Sequence, residues 1–375
     1  MHLTLHLTKN CNMRCSYCYA QSFAGCEMDA DTVRKTVAFA SGISDGNTGL
    51  VFFGGEPLLR KDLICAAVEE CEKVEQASSG TFHFKVSTNG LLLDQEFLTF
   101  AQKNRVHVAM SIDGVRYAHD RHRVDSGGKG TFSRVVKKAK LLLEYQPYAS
   151  ALMVVTPETV ALYAESVRYL FSIGFKYIIS SVNYAGKWTD GHIETLGKEY
   201  EKLAEMYEQM IVEERKFYFS PFERVLSSHI RGKEYARCNR CALGMRQLSV
   251  APDGKLFPCI QFVRDEKFSI GDIGRGIDET RRNSLYSRSR ESLTPCTECD
   301  YENRCENRCS CLNWQTTGTL TDISPVLCET ERVLIPVVDR LGKKLFEKKN
   351  PMFIQKHYNA AYPYLSLFED SSYEK

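Results

Sequence analysis

The sequence predicts an α/β protein, a partial (β/α)6 barrel of the TIM type followed by a small cysteine-rich domain. Three observations lead there. Six short β-type runs alternate with helical patterns as far as residue 182. Residues able to carry chemistry gather directly after those runs. Fifteen cysteines sit unevenly, three at 11–18 and nine from 238 to 328.

The runs come in order. "LTLHL" (3–7) is followed by a segment with Val33, Val37 and Ala40 at helical spacing. "LVFF" (50–53), "FHFKVS" (82–87) and "VHVAMS" (106–111) come next. Val136, Ala139 and Leu143 then repeat the helical spacing before "ASALMVV" (149–155) and "KYIISSV" (176–182). Strands that alternate with helices imply βαβ units and a parallel sheet. Six strands are too few for a closed eight-stranded barrel but suit an open one, whose ligands gather at the C-terminal strand ends.

Residues 194–216 read as a long amphipathic helix with Leu196, Tyr200, Leu203, Tyr207 and Met210 on one stripe, suited to packing. The pattern breaks near 220–235, at "RGKEYARC". The expected domains are therefore 1–230 for the barrel, 231–330 for the cysteine-rich unit, and 331–375 for a last helix (326–348) and tail. The middle unit has weak regular signals and dense cysteines, as in a domain held by metal more than by an apolar core. Within it, "SVAPDGKLFPC" reads as a β-hairpin turning at Pro252–Gly254, which makes Asp253 a turn residue rather than an acid or base.

Composition narrows the function. The chain of 375 residues is 43% hydrophobic and 26% charged, with a formal net charge of +2. That balance gives no electrostatic case for nucleic acid or an anionic membrane. No apolar run approaches the ~20 residues of a membrane span. The start "MHLTLHL" lacks the basic, apolar and small-residue sections of a signal peptide, so the expected location is cytoplasmic. Cysteines in a reducing compartment are not expected to pair as disulfides, and their clustering points to metal. Cys26, Cys65 and Cys71 stand apart and read as ordinary buried or surface thiols.

"CNMRCSYC" places Cys11, Cys15 and Cys18 at C-x3-C-x2-C spacing, with Tyr17 just before the third. Three thiolates are one short of a closed tetrahedral site, which suits a structural zinc ion poorly. The motif resembles that of the radical S-adenosylmethionine (SAM) enzymes. The resemblance implies that the three cysteines hold a [4Fe–4S] cluster whose fourth iron is chelated by SAM. It also implies reductive cleavage of SAM to a 5′-deoxyadenosyl radical that takes hydrogen from a substrate. Thiolate ligation suits iron–sulfur clusters. Later strand ends fit the same pattern. "GGEP" supplies Gly54, Gly55 and Glu56, which the resemblance places against the SAM amino group. "STNG" supplies Ser87 and Asn89 near the ribose. "SIDG" supplies Ser111 for the methionyl carboxylate, and Arg123 of "HDRHR" stands where it could clamp the same group. For Arg121 and Arg123 the alternative is a solvated loop. Met153 and Val154 either flank adenine or pack in the core.

The distal cysteines read C-x12-G-x4-C from Cys241 and then C-x2-C-x5-C-x3-C from Cys296 to Cys309. This order is similar to the SPASM domain, an extension of radical SAM enzymes that carries two auxiliary [4Fe–4S] clusters. The resemblance gives one cluster Cys238, Cys241, Cys259 and Cys309, and the other Cys296, Cys299, Cys305 and Cys328. Cys311 is then spare, or replaces Cys309, and an open iron remains if Cys238 does not ligate. The cofactors implied are SAM and three [4Fe–4S] clusters. A pair of zinc knuckles is the alternative on spacing alone.

Enzymes of this kind install thioether or carbon–carbon crosslinks in ribosomal peptides, or oxidise a sulfatase Ser or Cys to formylglycine. The sulfatase branch carries an Asp, as a general base, directly after the cysteine corresponding to Cys259. Here that position is Ile260, which accepts no proton. The expectation is thus a maturase that crosslinks a ribosomally made peptide, with no catalytic acid or base assigned. The alternatives are formylglycine formation, a small-molecule SPASM dehydrogenase, or a non-enzymatic zinc or iron–sulfur scaffold. The first strand begins at residue 3, so a leader peptide is expected to be held by a separate small protein or by the barrel and residues 350–375. No flavin or nicotinamide fingerprint is present, so a flavodoxin or ferredoxin is the expected reductant.

Overall fold

The structure is a computed structural model. It describes all residues except 20–26, 45, 78–79, 240, 292–295, 306–308 and 363–375, and only the backbone of 233–239. Cys26, the Cys238 side chain and most of the expected tail lie outside the described residues.

The six expected strands all form, within three residues of their expected limits. They are β1 (His2–Thr8), β2 (Asn47–Gly54), β3 (Thr81–Thr88), β4 (Val106–Ser111), β5 (Ser150–Val155) and β6 (Tyr177–Val182). A two-residue β7 (Tyr218–Phe219) extends the sheet beyond β6. Each neighbouring pair from β1 to β7 is parallel. The helices between them are α1 (Ala30–Ile43), α2 (Lys61–Ala77), α3 (Gln95–Lys103), α4 (Arg116–Asp120), α5 (Phe132–Tyr145) and α6 (Tyr163–Ser172). Each βαβ crossover keeps successive strands adjacent, and helices cover the apolar side chains of the sheet. Leu3, Leu5 and Leu7 of β1 are fully buried, as are Leu50, Phe52, Val86 and Val108 on the next three strands.

The sheet does not stop at β1. The expected hairpin forms as β8 (Gln247–Val250) and β9 (Leu256–Phe257), antiparallel with Val250 opposite Leu256. Its turn uses Gly254 at φ 82°, and the Asp253 carboxylate accepts from Lys255 N at 3.2 Å, as a turn residue does. The strand β8 then pairs in parallel with β1, Leu5 beside Val250. The full order is β7-β6-β5-β4-β3-β2-β1-β8-β9. A segment from the cysteine-rich part therefore completes the edge of the barrel sheet.

The long helix α7 runs Asp190–Val212, about four residues earlier than the stripe predicts. Thr189 sets the start: its hydroxyl accepts from His192 N, and the His192 ring answers in a reciprocal cap. Glu214 at φ 54° follows the end. Where the pattern was expected to break, the chain is helical. The helix α8 spans Ser220–Asn239, interrupted only at Gly232 (φ 53°, ψ −131°). Its apolar stripe, Phe222, Val225 and Leu226, is short, and the polar "RGKEYARC" that follows hides the rest from a search for apolar periodicity. Beyond it come α9 (Glu279–Arg288), α10 (Ser310–Thr317), α11 (Pro325–Glu347) and α12 (Pro351–Tyr358). The expected helix at 326–348 is α11. It lies against α7, where Glu208 receives Lys344 at 2.7 Å and Lys348 at 3.1 Å. No described helix is long and apolar enough to cross a membrane.

Leu5 is at 0% exposure between two hydrogen-bonded neighbours, β2 and β8. The substitution Leu5→Ala is expected to cost about 2–5 kcal/mol through lost burial and the cavity left behind. Denaturant unfolding of the loaded protein checks this, and a change under 1 kcal/mol would show that β1 is not central.

Candidate functional site

The residues that the motifs single out meet at the C-terminal ends of β1–β4. The chain leaving β1 carries Cys11, Cys15 and Cys18, and two partners hold it. On one side is the loop after β2. Gly55 N donates to Thr8 O at 2.8 Å and Glu56 N to Asn10 O at 2.9 Å. The approach is so close that a Cβ on Gly55 would stand 2.0 Å from Asn10 O, and one on Gly54 2.3 Å from Thr8 O. Gly54 also has φ 134°, so glycine is required there on two counts. On the other side is the segment after α4. Arg14 N donates to Val124 O at 2.8 Å and Ser16 N to His122 O at 3.1 Å.

Glu56 is 1% exposed, and its carboxylate is engaged by its own chain. It accepts from Thr88 Oγ1 at 2.6 Å, Asn89 N at 2.8 Å and Leu58 N at 3.0 Å. Burial raises its pKa, and those three donors pull the other way. Three of about four acceptor sites are thereby used. In this structure Glu56 ties the end of β2 to the end of β3. Asn89 continues the tie, donating from Nδ2 to Asn12 Oδ1 at 2.7 Å and lying 3.7 Å from Cys11 Sγ.

Arg123 is not on a solvated loop. It is 6% exposed and paired with Asp113, which is 1% exposed. Nε donates to Oδ2 at 2.9 Å and Nη2 to Oδ1 at 3.1 Å. Tyr17 OH also donates to Oδ2, and Val154 N donates to Oδ1 at 3.0 Å. The Arg123 guanidinium lies 5.4 Å from the Tyr17 ring centroid. Asp113 thus anchors the cysteine loop through Tyr17. Sequence reading quoted Asp113 within "SIDG" but gave it no role. The signal was an acid and an arginine ten residues apart on either side of a short helix. Arg121, by contrast, is exposed as the loop reading expects.

All these elements border one cavity of about 1920 Å³. Cys11, Cys15 and Cys18 line it together with Gly54, Gly55, Ser87, Asn89, Ser111 and Arg123. Met153 and Val154 line it too. The cavity continues along the sheet to Tyr148, Tyr177 and Tyr218 at the opposite strand ends, and α12 contributes Lys356 and His357. Lys356 is fixed there by donating to Glu223 and, at 2.8 Å, to Phe217 O. Burial holds the Cys15 thiol up at about 11 and raises Cys11 as well. Thiols so placed stay protonated at neutral pH unless a cation takes the protons' place. Among the described residues no group of three or more His, Cys, Asp or Glu side chains is drawn together tightly enough for a single metal ion. The donor set is three soft sulfurs on one loop, which suits iron–sulfur ligation. Glycine backbone, two serines and an amide on the same wall supply polar groups for a ligand beside it.

The distal cysteines lie beyond one end of this cavity. Cys241, Cys259 and Cys309 are within electrostatic reach of one another. Cys311, left spare by spacing, is buried among them. Cys299 and Cys328 form a second neighbourhood. Tyr19 stands between the two ends of the chain, interacting with Cys18 on one side and Cys259 and Cys311 on the other. Its hydroxyl is shielded from solvent without a hydrogen-bond partner among the described residues. Ile260 packs against the core, and Gln261, bonded to Gln315, faces the cavity in its place.

A parallel partial barrel with a three-cysteine loop at its C-terminal rim defines the radical SAM class. Residues 5–178 match the family model of the radical SAM superfamily. The family implies SAM and a [4Fe–4S] cluster as cofactors. The chain is 24% identical over 326 residues to the cysteine-type anaerobic sulfatase-maturating enzyme of Clostridium perfringens, covering 80% of this chain and 86% of that one. It is 26% identical over 294 residues to the antilisterial bacteriocin subtilosin biosynthesis protein AlbA of Bacillus subtilis, covering 76% and 60%. Its fold is similar to native anSMEcpe with bound AdoMet and Cp18Cys peptide, with a TM-score of 0.78, 21% identity, and 92% and 98% of the two chains covered.

Replacing Asp113 by Asn would leave the buried Arg123 charge uncompensated, at a cost of about 3–5 kcal/mol. The variant Asp113→Asn is expected to unfold at lower denaturant concentration and to lose iron from the first cysteine site. Iron loading equal to that of the parent would separate the ion pair from the cysteine loop.

Proposed function

We propose that the protein is a radical SAM maturase that acts on a ribosomally made peptide and forms a thioether or carbon–carbon crosslink between its side chains. The carrying observation is the cavity. At about 1920 Å³ it is larger than the roughly 300–1,000 Å³ of small-ligand pockets. That leaves space for a peptide segment beside SAM. Similarity to proteins that mature a sulfatase and a bacteriocin supports a peptide or protein substrate.

Cys11, Cys15 and Cys18 would hold the cluster. Gly54, Gly55, Ser87, Asn89 and Ser111 would border SAM, and Glu56 and Arg123 would keep that border in place through Thr88, Asn89 and Asp113. When bound, the pair supplies a 5′-deoxyadenosyl radical that takes hydrogen from the substrate. The chain's part would be to orient the target and exclude water, with Met153, Val154 and Tyr19 giving the cavity that Cys18 lines an apolar and aromatic face. Residues 231–330 would carry two auxiliary [4Fe–4S] clusters, and a flavodoxin or ferredoxin would supply electrons.

A second reading, formylglycine formation in a sulfatase, is favoured by the similarity to sulfatase-maturating enzymes. Against it stands Ile260, apolar and packed into the core where that chemistry calls for an acid. Anaerobically reconstituted enzyme, with SAM and reductant, is expected to release 5′-deoxyadenosine and to lower the mass of a peptide encoded beside its gene by two hydrogens. Formylglycine in a sulfatase peptide would decide for the second reading. Turnover with a small alcohol or sugar and with no peptide would decide for a dehydrogenase. The variant Tyr19→Phe keeps the ring and removes the unpartnered hydroxyl. It is expected to form 5′-deoxyadenosine while yielding at least several-fold less peptide product per SAM cleaved, and an unchanged ratio would remove Tyr19 from substrate positioning.

A further inference from the structure

Nine cysteines from 238 to 328 face eight ligand positions if two four-iron clusters are present. Spacing leaves Cys311 as the surplus. We propose instead that Cys311 is a ligand of the auxiliary cluster that also takes Cys241, Cys259 and Cys309, an inference that rests on reading residues 231–330 as cluster-bearing.

Three observations carry it. Cys311 is 5% exposed and its sulfur lies 3.2 Å from Cys309 Sγ. The same thiol interacts with that of Cys259, itself 6% exposed. Cys241 is within electrostatic reach of Cys309 and Cys259, so these four cysteines share one neighbourhood. Cys309 caps the N-terminus of α10 and Cys311 is in its first turn, with no side-chain bond made to the cap. Each ligand gives up its proton on binding, and no electron is transferred.

The bland alternative is that Cys311 only fills space. A filler and a ligand respond differently to serine. Serine keeps the shape but offers a harder oxygen donor, which suits iron–sulfur clusters poorly.

The test uses the full-length holoprotein, purified anaerobically, with iron, acid-labile sulfide and electron paramagnetic resonance measured on the parent, Cys311→Ser, Cys311→Ala and Cys238→Ala. The parent should hold about twelve irons per chain. Cys311→Ser is expected to shift the auxiliary-cluster resonance, Cys311→Ala to lose between about one and four irons, and Cys238→Ala to retain the parent's iron and resonance. Near-ultraviolet circular dichroism confirms that the serine variant is folded. Parental iron and resonance in a folded Cys311→Ser, with loss in Cys238→Ala, would overturn the assignment. A parent holding only about four irons would instead overturn the reading of two auxiliary clusters.

Discussion

Asn10 O occupies the space that a side chain at Gly55 would need, 2.0 Å from where its Cβ would stand. That steric constraint fixes the distance between the loops leaving β1 and β2, and the three cysteines inherit their position from it. The two amide bonds from Gly55 and Glu56 are worth about 1 kcal/mol each in net stability. Their larger effect is on geometry, because they leave the first loop one path across the barrel rim. From there Glu56 passes the constraint to β3 through Thr88 and Asn89, and Asn89 returns it to Asn12. Asn10, Glu56, Asn89 and Asn12 are thus joined in a closed ring of hydrogen bonds across the ends of β1–β3.

A second grip comes from the buried pair of Asp113 and Arg123. Removing two charges from water is expensive, and the pair offsets that only because every Asp113 oxygen is also met by another donor. Those donors are Tyr17, inside the cysteine motif, and Val154 N, at the end of β5. One carboxylate therefore fastens together the ends of β4 and β5, the segment after α4 and the loop that carries the cysteines.

Much of the architecture was legible in the sequence because it follows from local periodicity. The six strands, the hairpin at 247–257, and the stripes of α7 and α11 each announce themselves within a short window. The cysteine motif is local as well. What escaped was tertiary. Arg123 was set either against the SAM carboxylate or on a solvated loop, and its partner Asp113 was missed because it is ten residues away across a turn and burial is invisible from composition. Glu56 was assigned outward, to a ligand, because a motif names a residue and not the direction of its carboxylate. The helix α8 was read as a boundary because its apolar stripe is short, Phe222, Val225 and Leu226, and is followed by the polar "RGKEYARC". Cys311 was set aside by counting spacing, whereas proximity to Cys259 depends on how two distant segments fold together.

The pairing of β8 with β1 has a consequence for synthesis. The first strand leaves the ribosome early and gains β2 as soon as the first crossover is complete, but its other edge has no partner until residue 247 has been made. For most of translation the nascent barrel therefore carries an unpaired edge beside its three-cysteine loop, and unpaired edges invite wrong partners. Some 240 residues must be added before the register of Leu5 with Val250 closes it. Cutting the chain at 230 would make that transient condition permanent. The strand order sets a sequence of events as well as a shape, with the cysteine loop laid down first and its flank covered last.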